Sequence, residues 1–240
     1  MTLFTTRFTP WAPGLTCPQD WQEWAQGQRQ IRRNDESPEL NFIDPRFRRR
    51  LSQTSRMTIQ VLQNLFLLLK EDAKEDAKED AKEKIKIVFL SFWGELTQQF
   101  KINKMIITEG EISPSVFPVS VFNTPPAAAS IGLHLTAGYT ALYPSPEDFA
   151  GGFQAAAAPV LCGAEEEIII AYADEQGPSE YAGLYSGEPL AFGLVLSRSP
   201  EGLSIPVPVR LPELASPQSF LKYLLRFGPP IGRIGKDQVP

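Results

Sequence analysis

The chain has 240 residues, of which 42% are hydrophobic, so it is long enough to bury one sizeable core. Its net charge of −5 and isoelectric point near 5.1 provide no basic field of the kind that nucleic-acid-binding domains carry. Two cysteines are too few for a disulfide framework, no apolar run reaches the length of a membrane span, and the N-terminus lacks a signal-peptide pattern. These features predict a cytoplasmic protein with no membrane span and no nucleic-acid partner.

The N-terminal segment is predicted to form a strand followed by a short helix. Residues 3–8 have the composition of a strand. Thr16 and Gln19 are spaced as in a capping box, which predicts a helix that ends near Gly27. Three tryptophans of this region are interpreted as core anchors, because this side chain is highly buried on average: Trp11, Trp21 and Trp24.

A long amphipathic helix is predicted from Asp44 to residue 69. Asp44 followed by Pro45 is a strong helix start, and apolar residues then recur at helical spacing. Five arginines occupy its first turns, where positive charge opposes the helix dipole. Two interpretations stay open, a solvated helix end or a docking surface for an acidic partner. The arginines are Arg46, Arg48, Arg49, Arg50 and Arg56.

Residues 70–83 repeat the tetrapeptide KEDA. Lysine and acidic residues lie three or four positions apart throughout, which stabilises an isolated helix, and no apolar stripe crosses the segment. We therefore predict a solvent-exposed helical insertion. Residues 84–91 are predicted to form a strand, and a helix follows from the turn at Trp93 to near Gly110.

The segment over residues 124–174 is predicted to be the centre of the fold. Thr124 is the expected N-cap of an apolar helix over 127–135, and residues 139–143 are predicted to form a short buried strand. A tight reversal follows, because Ser145 lies between two prolines. A strand, a sharp turn and a helix form a common scaffold for a nucleophile in α/β enzymes, which makes Ser145 a candidate site residue.

The helix after this turn has no polar face. Glu147 and Asp148 favour its N-terminus through the helix dipole, and residues 149–162 carry no charge. Such a helix is predicted to be buried on every side, with Cys162 at its end as a buried thiol. Residues 165–173 then predict a central strand, since β-branched residues run unbroken.

The C-terminal part is predicted to add two strands and a helix. Residues 190–198 predict a strand at the sheet's edge, and residues 205–211 an extended edge segment, because Pro206 and Pro208 cannot donate to a ladder. An amphipathic helix over 219–227 precedes a loose tail over 228–240. The predicted fold class is α/β, with a three-layer mixed sheet of about five strands, helices on both faces, and one domain over residues 1–227.

The reactive side chains do not match a hydrolase or a metal site. Serine hydrolases use G-x-S-x-G, whereas prolines flank Ser145, and the single histidine, His134, is interpreted as a core residue of the apolar helix. Glu147 and Asp148 are adjacent on a helix and point in different directions, which argues against an acid–base pair. One histidine and two distant cysteines have no ligand spacing, so no metal and no cofactor are predicted.

Six short motifs together resemble one family. Their order and spacing over residues 3–198 are similar to the N-terminal half of the β-ketoacyl synthases, which have the thiolase fold. They are more similar still to the short ketosynthase-like proteins often labelled chain length factors. The motifs are WAPG at 11–14, DW at 20–21, RRRLSQTSRM at 48–57, VFLSFWGEL at 88–96, SPSVFPVSVFN at 113–123 and the acidic pair at 147–148.

The resemblance implies the family's scaffold without its catalytic groups. It places Ser145 at the position of the cysteine that accepts the acyl chain, with Asn123, Glu147 and Asp148 at the same elbow and pocket. The two histidines of a condensing enzyme lie in the C-terminal half of the ketosynthases, and the resemblance does not extend to that half. A protein without condensing activity is therefore expected.

The resemblance also implies partners. A non-condensing, chain-length-factor-like subunit would act with an acyl carrier protein, docked on the arginines at the start of the long helix. It would pair with a full-length ketosynthase, or with a second copy, through the strand from Gly138 to Tyr143. Fatty-acid- or polyketide-type synthesis is the implied setting, with aryl polyene synthesis as one case. The alternative is a degenerate acyltransferase or thioesterase that uses Ser145.

Overall fold

The computed structural model describes residues 2–72, 80–112, 114, 116–181, 187–200, 205–207 and 214–228. Half of the KEDA repeat, at 73–79, lies outside the described residues, as do residues 208–211 of the proposed edge segment and 229–240 of the tail. The domain boundaries given above stay a prediction.

The described residues contain one mixed sheet of seven strands. The strands are β1 (Leu3–Thr5), β2 (Phe8–Trp11), β3 (Ile87–Leu90), β4 (Tyr139–Leu142), β5 (Glu167–Asp174), β6 (Leu190–Ser197) and β7 (Ile205–Val207). Their order in the sheet is β4-β3-β5-β6-β1-β7, and β2 pairs with β6 next to β1. The pairs β3–β4 and β3–β5 are parallel, whereas the pairs among β5, β6, β1, β2 and β7 are antiparallel.

Helices cover both faces of this sheet, so the predicted α/β class and its three layers are confirmed. The helices are α1 (Pro18–Ala25), α2 (Pro45–Arg48), α3 (Gln53–Asp72), α4 (Asp80–Lys84), α5 (Leu96–Glu109), α6 (Thr124–Leu133), α7 (Phe149–Leu161) and α8 (Pro217–Phe227). Because side chains alternate along a strand, Ile169 and Ala171 of β5 face α3 and α6, whereas Ile168 and Ile170 face α1, α7 and α8.

Strand positions in the sheet differ in part from the predicted ones. β5 is central, as predicted, and β7 lies at an edge. The prediction that 190–198 form an edge strand is wrong, because β6 pairs with β5 along its whole length and with β1 and β2 on its other side. The predicted first strand is divided into β1 and β2, which contributes to the larger strand number. The strand after α6 is not buried but is the half-exposed edge strand β4.

Helix α7 is buried on one face only. Phe149 and Phe153 pack under α8, where the rings of Phe153 and Phe220 lie 4.8 Å apart. Ala155 and Ala158 face outward, so the prediction of burial on every side is wrong. Alanine has so little apolar surface that a helix can lack a polar face and still expose one side. Cys162, predicted to be buried, is exposed.

The long helix predicted from Asp44 consists of two helices. Asp44 is the N-cap of α2, since its carboxylate accepts from the backbone N–H groups of Arg46 at 2.8 Å and Phe47 at 3.1 Å. After one turn the chain leaves the helix, and α3 begins at Gln53. Leu51, at the break between the two helices, is buried, so the apolar stripe continues across the break. For this reason the sequence pattern did not indicate the break. None of the helices in the described ranges is long and apolar enough to cross a membrane.

Candidate functional site

The elbow around Ser145 has the predicted strand–turn–helix geometry. β4 ends at Leu142 and α7 begins at Phe149, with Ser145 exposed between them. Asp148 is the N-cap of α7, because its carboxylate accepts from the backbone N–H of Gly151 at 2.9 Å. The Asp148 N–H in turn donates to the Ser145 carbonyl at 2.9 Å, which closes the turn.

The four predicted pocket residues divide into two places. Ser145, Glu147 and Asp148 share the elbow, where the Glu147 N–H faces Ser145 Oγ at 3.4 Å. Asn123 lies instead at the N-cap position of α6, where Thr124 was predicted, but its side chain makes no capping hydrogen bond. Its side-chain amide donates to the hydroxyl of Tyr139 at 3.3 Å. The structure thus places Asn123 beside the edge strand, and the site roles of all four remain predictions.

His134 is not a core residue, contrary to its interpretation from sequence. It is exposed and terminates α6 in the left-handed conformation, with φ of +57°. Histidine is one of the non-glycine residues enriched in that conformation, so its position is explained by backbone geometry.

Three buried carboxyl groups lie at the carboxyl ends of β3 and β5, a cluster that sequence reasoning missed. Asp174, at the end of β5, accepts hydrogen bonds from the hydroxyls of Ser91 and Tyr172, both at 2.6 Å. The backbone N–H groups of Phe92 and Trp93 donate to it at 3.1 Å each. Burial raises the pKa of Asp174 to about 6, although these hydrogen bonds favour the charged form.

The second carboxyl group, Glu175, joins two helix N-termini. It accepts from the backbone N–H of Thr97 in α5 at 3.0 Å and from that of Thr54 in α3 at 3.4 Å. Its negative charge therefore lies where both helix dipoles favour it. Burial still raises its pKa above the ordinary value for glutamate.

The third carboxyl group, Glu95, is fully buried at the start of α5. One oxygen accepts from the hydroxyls of Ser52 at 2.8 Å and Ser55 at 2.6 Å. Its other oxygen, Oε2, has no hydrogen-bond partner in the described part of the chain. Burial, followed by the nearby charge of Glu175, raises the pKa of Glu95 to about 8. Glu95 therefore holds a proton at neutral pH.

Aromatic side chains connect this carboxyl cluster with the elbow. Tyr143, just after β4, donates to the carbonyl of Phe122, and their rings lie 4.8 Å apart. Gly94 adopts a φ of +57°, and a Cβ there would lie 2.8 Å from the Phe122 ring and 3.2 Å from that of Tyr143. Burial, with the charges of Glu95 and Asp174, raises the pKa of Tyr143. The cluster thus supports the turn on which the aromatic pair rests.

The arginines at the start of the long helix region are not equivalent. Arg48 donates to the carbonyls of Glu39 and Leu40 at 2.9 and 3.2 Å, and Arg56 donates to the carbonyl of Arg48 at 2.9 Å. Both are half-buried, and burial lowers the pKa of Arg56. The other three are exposed: Arg46, Arg49 and Arg50.

The comparison with known families decides what scaffold this is. The sequence profile of the β-ketoacyl synthase N-terminal domain family matches residues 21–211. The chain belongs to this family. No curated protein is similar enough to the chain in sequence to count as a match.

Solved structures of ketosynthases share the fold of this ketosynthase-like chain. A ketosynthase, ApeO, in complex with its chain length factor, ApeC, from Xenorhabdus doucetiae matches with a TM-score of 0.66 and 20% identity, over 83% of this chain and 80% of that one. The ishigamide ketosynthase/chain length factor matches with a TM-score of 0.59 and 13% identity, over 86% of this chain and 65% of that one. A type II polyketide ketosynthase in complex with its acyl carrier protein matches with a TM-score of 0.55 and 13% identity, over 82% and 62%.

The chain spans 80% of the length of the first of these three structures and just under two thirds of the other two. At these identities the likeness shows the fold alone. No group of three or more histidine, cysteine or acidic residues in the described ranges could hold a metal ion.

Proposed function

We propose that this ketosynthase-like chain is a non-condensing, chain-length-factor-like subunit that pairs with a full-length ketosynthase. It would act in the cytoplasm on acyl chains carried by an acyl carrier protein, in fatty-acid- or polyketide-type synthesis, with aryl polyene synthesis as one setting. Pairing with a second copy of itself is the other form of the same proposal. The observation that carries the proposal is the open edge of β4.

Strand β4 is an unusual edge for a parallel ladder. It pairs with β3 on one side, and no strand in the described ranges pairs with the other side. Parallel strands are normally covered, and an open edge presents unpaired backbone groups to another chain. Thr140 is exposed and Tyr139, Ala141 and Leu142 are half-exposed, so the edge is accessible over its length. The predicted pairing segment, from Gly138 to Tyr143, contains this strand.

Exposed apolar side chains flank the same edge. Phe122 is 51% exposed, and its ring lies 4.8 Å from that of Tyr143, just after β4. Ile131 of α6, which packs beside β4, is 64% exposed. We call this surface the β4 face; it comprises β4, Phe122 and Ile131. Apolar patches of this kind next to a strand edge favour association with another chain.

The elbow supports the non-condensing part of the proposal. Ser145 occupies the position that the family resemblance assigns to the acyl-accepting cysteine, and a serine hydroxyl needs an adjacent base to become a nucleophile. The one histidine of the sequence, His134, is exposed at the end of α6, where backbone geometry explains its position and nothing supports a role as the base for Ser145. A reconstituted condensation assay with acyl and malonyl carrier proteins tests this. Carbon–carbon bond formation by the chain alone would contradict the proposal.

The pairing is tested by co-expression with ketosynthases and a mass measurement of the purified complex. Phe122→Glu and Ile131→Glu place charge in the β4 face and are expected to weaken the complex at least tenfold, since a buried unpaired charge costs several kcal/mol. Phe227→Glu is the matched control, because Phe227 is 52% exposed on α8, whose Tyr223 contacts β7 at the opposite edge of the sheet. A chain that stays monomeric with every ketosynthase, or complexes insensitive to both substitutions, would refute the pairing.

A second candidate function is supported by the exposure of Ser145. An acyltransferase or thioesterase would transfer the acyl group of a thioester to Ser145 Oγ, forming an ester and releasing the carrier thiol with the hydroxyl proton. Mass spectrometry after incubation with acyl carrier protein distinguishes the two functions. An acyl adduct on Ser145, absent from Ser145→Ala, supports the enzyme and contradicts a purely non-catalytic subunit.

A further inference from the structure

A groove lies between α1 and α8, on the layer of the molecule opposite α3 and α6. Its volume is about 650 Å³, within the range of about 300–1,000 Å³ that small-molecule sites occupy. Both helices contribute residues spaced three and four positions apart, so each presents one face to the groove. On α1 and just beyond its end these are Gln22, Ala25 and Gln26. On α8 they are Ser219, Lys222, Tyr223, Leu225, Arg226 and Phe227.

The charge of the groove is opposite to that of the whole chain. Lys222 and Arg226 lie one turn apart on α8, and none of the described residues that line the groove is acidic, whereas the chain carries a net charge of −5. Glu23 of α1 is not part of the lining and is bound by Arg29 at 2.9 Å. The Lys222 ammonium lies 5.2 Å from the centre of the Trp24 ring, and the Arg226 guanidinium lies 5.2 Å from that of Phe227. These cations therefore have aromatic neighbours and stay available to an anion.

The apolar part of the lining consists of Ala25, Leu225 and the rings of Tyr223 and Phe227. The Tyr223 hydroxyl donates to the carbonyl of Pro206 at 2.9 Å, and the Tyr223 and Phe227 rings lie 5.0 Å apart. Phe220 and Leu224, on the inner side of α8, are fully buried and fix the helix to the sheet. The groove thus combines a rigid apolar wall with two cations at its rim.

We propose that this groove binds an anionic amphiphile, a molecule with one carboxylate or phosphate head group and an alkyl chain. The head group is held by Lys222 and Arg226, with the amides of Gln22 and Gln26 as further donors, and the chain lies along Leu225 and Phe227. The site is separate from the β4 face and does not depend on pairing with a ketosynthase.

The binding is measured through Trp24, because the Lys222 ammonium lies over its ring. The intact chain is titrated with dodecanoate, dodecyl phosphate and the neutral dodecanol, each below its aggregation concentration. We expect the two anions to cause a saturable change of tryptophan fluorescence, and we expect this change to be absent from the Trp24→Phe variant. Dodecanol is expected to bind at least about tenfold more weakly than the anions, because its neutral head group cannot form charge-assisted hydrogen bonds. The two anions distinguish a carboxylate ligand from a phosphate ligand.

The double variant Lys222→Gln, Arg226→Gln removes both charges at exposed positions and is expected to weaken dodecanoate binding at least about tenfold. Lys101→Gln with Lys104→Gln, on exposed positions of α5, is the matched control and is expected to leave it unchanged. Equal affinity for dodecanol and dodecanoate, or equal affinity of the double variant and the unaltered chain, would overturn the proposal. So would calorimetry that shows no saturable binding of either anion.

Discussion

Replacing Glu95 by glutamine is expected to remove a pH-dependent loss of stability. The unfolded chain ionises Glu95 near its ordinary pKa of 4.5, whereas the folded chain holds the proton until the pH approaches about 8. A raised acid pKa means that the folded state binds the extra proton, so stability is complete below the unfolded pKa and falls as the pH rises toward 8. Above the folded pKa this contribution is constant.

The size of this loss of stability follows from the difference between the pKa values of Glu95 in the unfolded and folded chain. About 3.5 pKa units at ~1.4 kcal/mol each give a loss of up to ~5 kcal/mol between acid and alkaline pH, as an upper bound. Glutamine has nearly the same volume and keeps an oxygen for the hydroxyls of Ser52 and Ser55. The variant is therefore expected to equal or exceed the unaltered chain in stability above neutral pH, and to lose its advantage near pH 5.

The assay is urea unfolding at several pH values between about 5 and 9, with the free energy of unfolding compared between the two proteins. Asp174 and Glu175 also have raised pKa values and destabilise with the same sign, but both are present in each protein, so the difference reports Glu95 together with its coupling to Glu175. Glu166→Gln, at an exposed position, is the control. Parallel stability curves for Glu95→Gln and the unaltered chain across this range would refute a protonated Glu95.

Three further substitutions test other parts of the site. Gly94→Ala is expected to destabilise the fold by about 1–2 kcal/mol or more, measured by urea unfolding, because a Cβ would lie 2.8 Å from Phe122 at a φ of +57°; unchanged stability would contradict that packing. Asp148→Ala is expected to cost ~1 kcal/mol through loss of the α7 cap, with Asp148→Asn retaining most of it in the same measurement. Arg46→Glu with Arg49→Glu is expected to weaken binding of acyl carrier protein more at low salt than at high salt, and equal loss at both would exclude an electrostatic dock.

The parts of the fold that sequence predicted are those specified by local patterns. β5 was recognisable because its apolar residues run unbroken, and α8 because its apolar residues recur at helical spacing. The position of β6 was not predictable in this way, since an apolar run specifies burial but not which strands pair with it. The exposure of β4 was missed for the same reason, because Tyr139–Leu142 is apolar enough to be buried and is exposed only through the topology; its use as a pairing strand was expected from the family resemblance alone.

The carboxyl cluster was missed because its members have nothing in common locally. Glu95 follows a glycine turn, Asp174 and Glu175 end a hydrophobic strand, and their partners come from α3, α5 and the end of β3. The two acidic residues at the end of the apolar strand β5, with Glu95 in the turn after the apolar strand β3, were nevertheless a usable signal. The carboxyl ends of parallel strands meet at one edge of a sheet, where polar groups from distant positions converge.

The carboxyl cluster and the β4 face are mechanically connected through one turn. Asp174 holds the backbone at Phe92 and Trp93, the turn continues to Gly94, and the rings of Phe122 and Tyr143 rest on that glycine. Tyr143 directly follows β4, and Phe122 is part of the exposed β4 face. Asp174 is thereby connected to the residues that border the proposed pairing edge. In this chain the polar groups buried at the strand ends therefore support the turn that borders the proposed pairing edge.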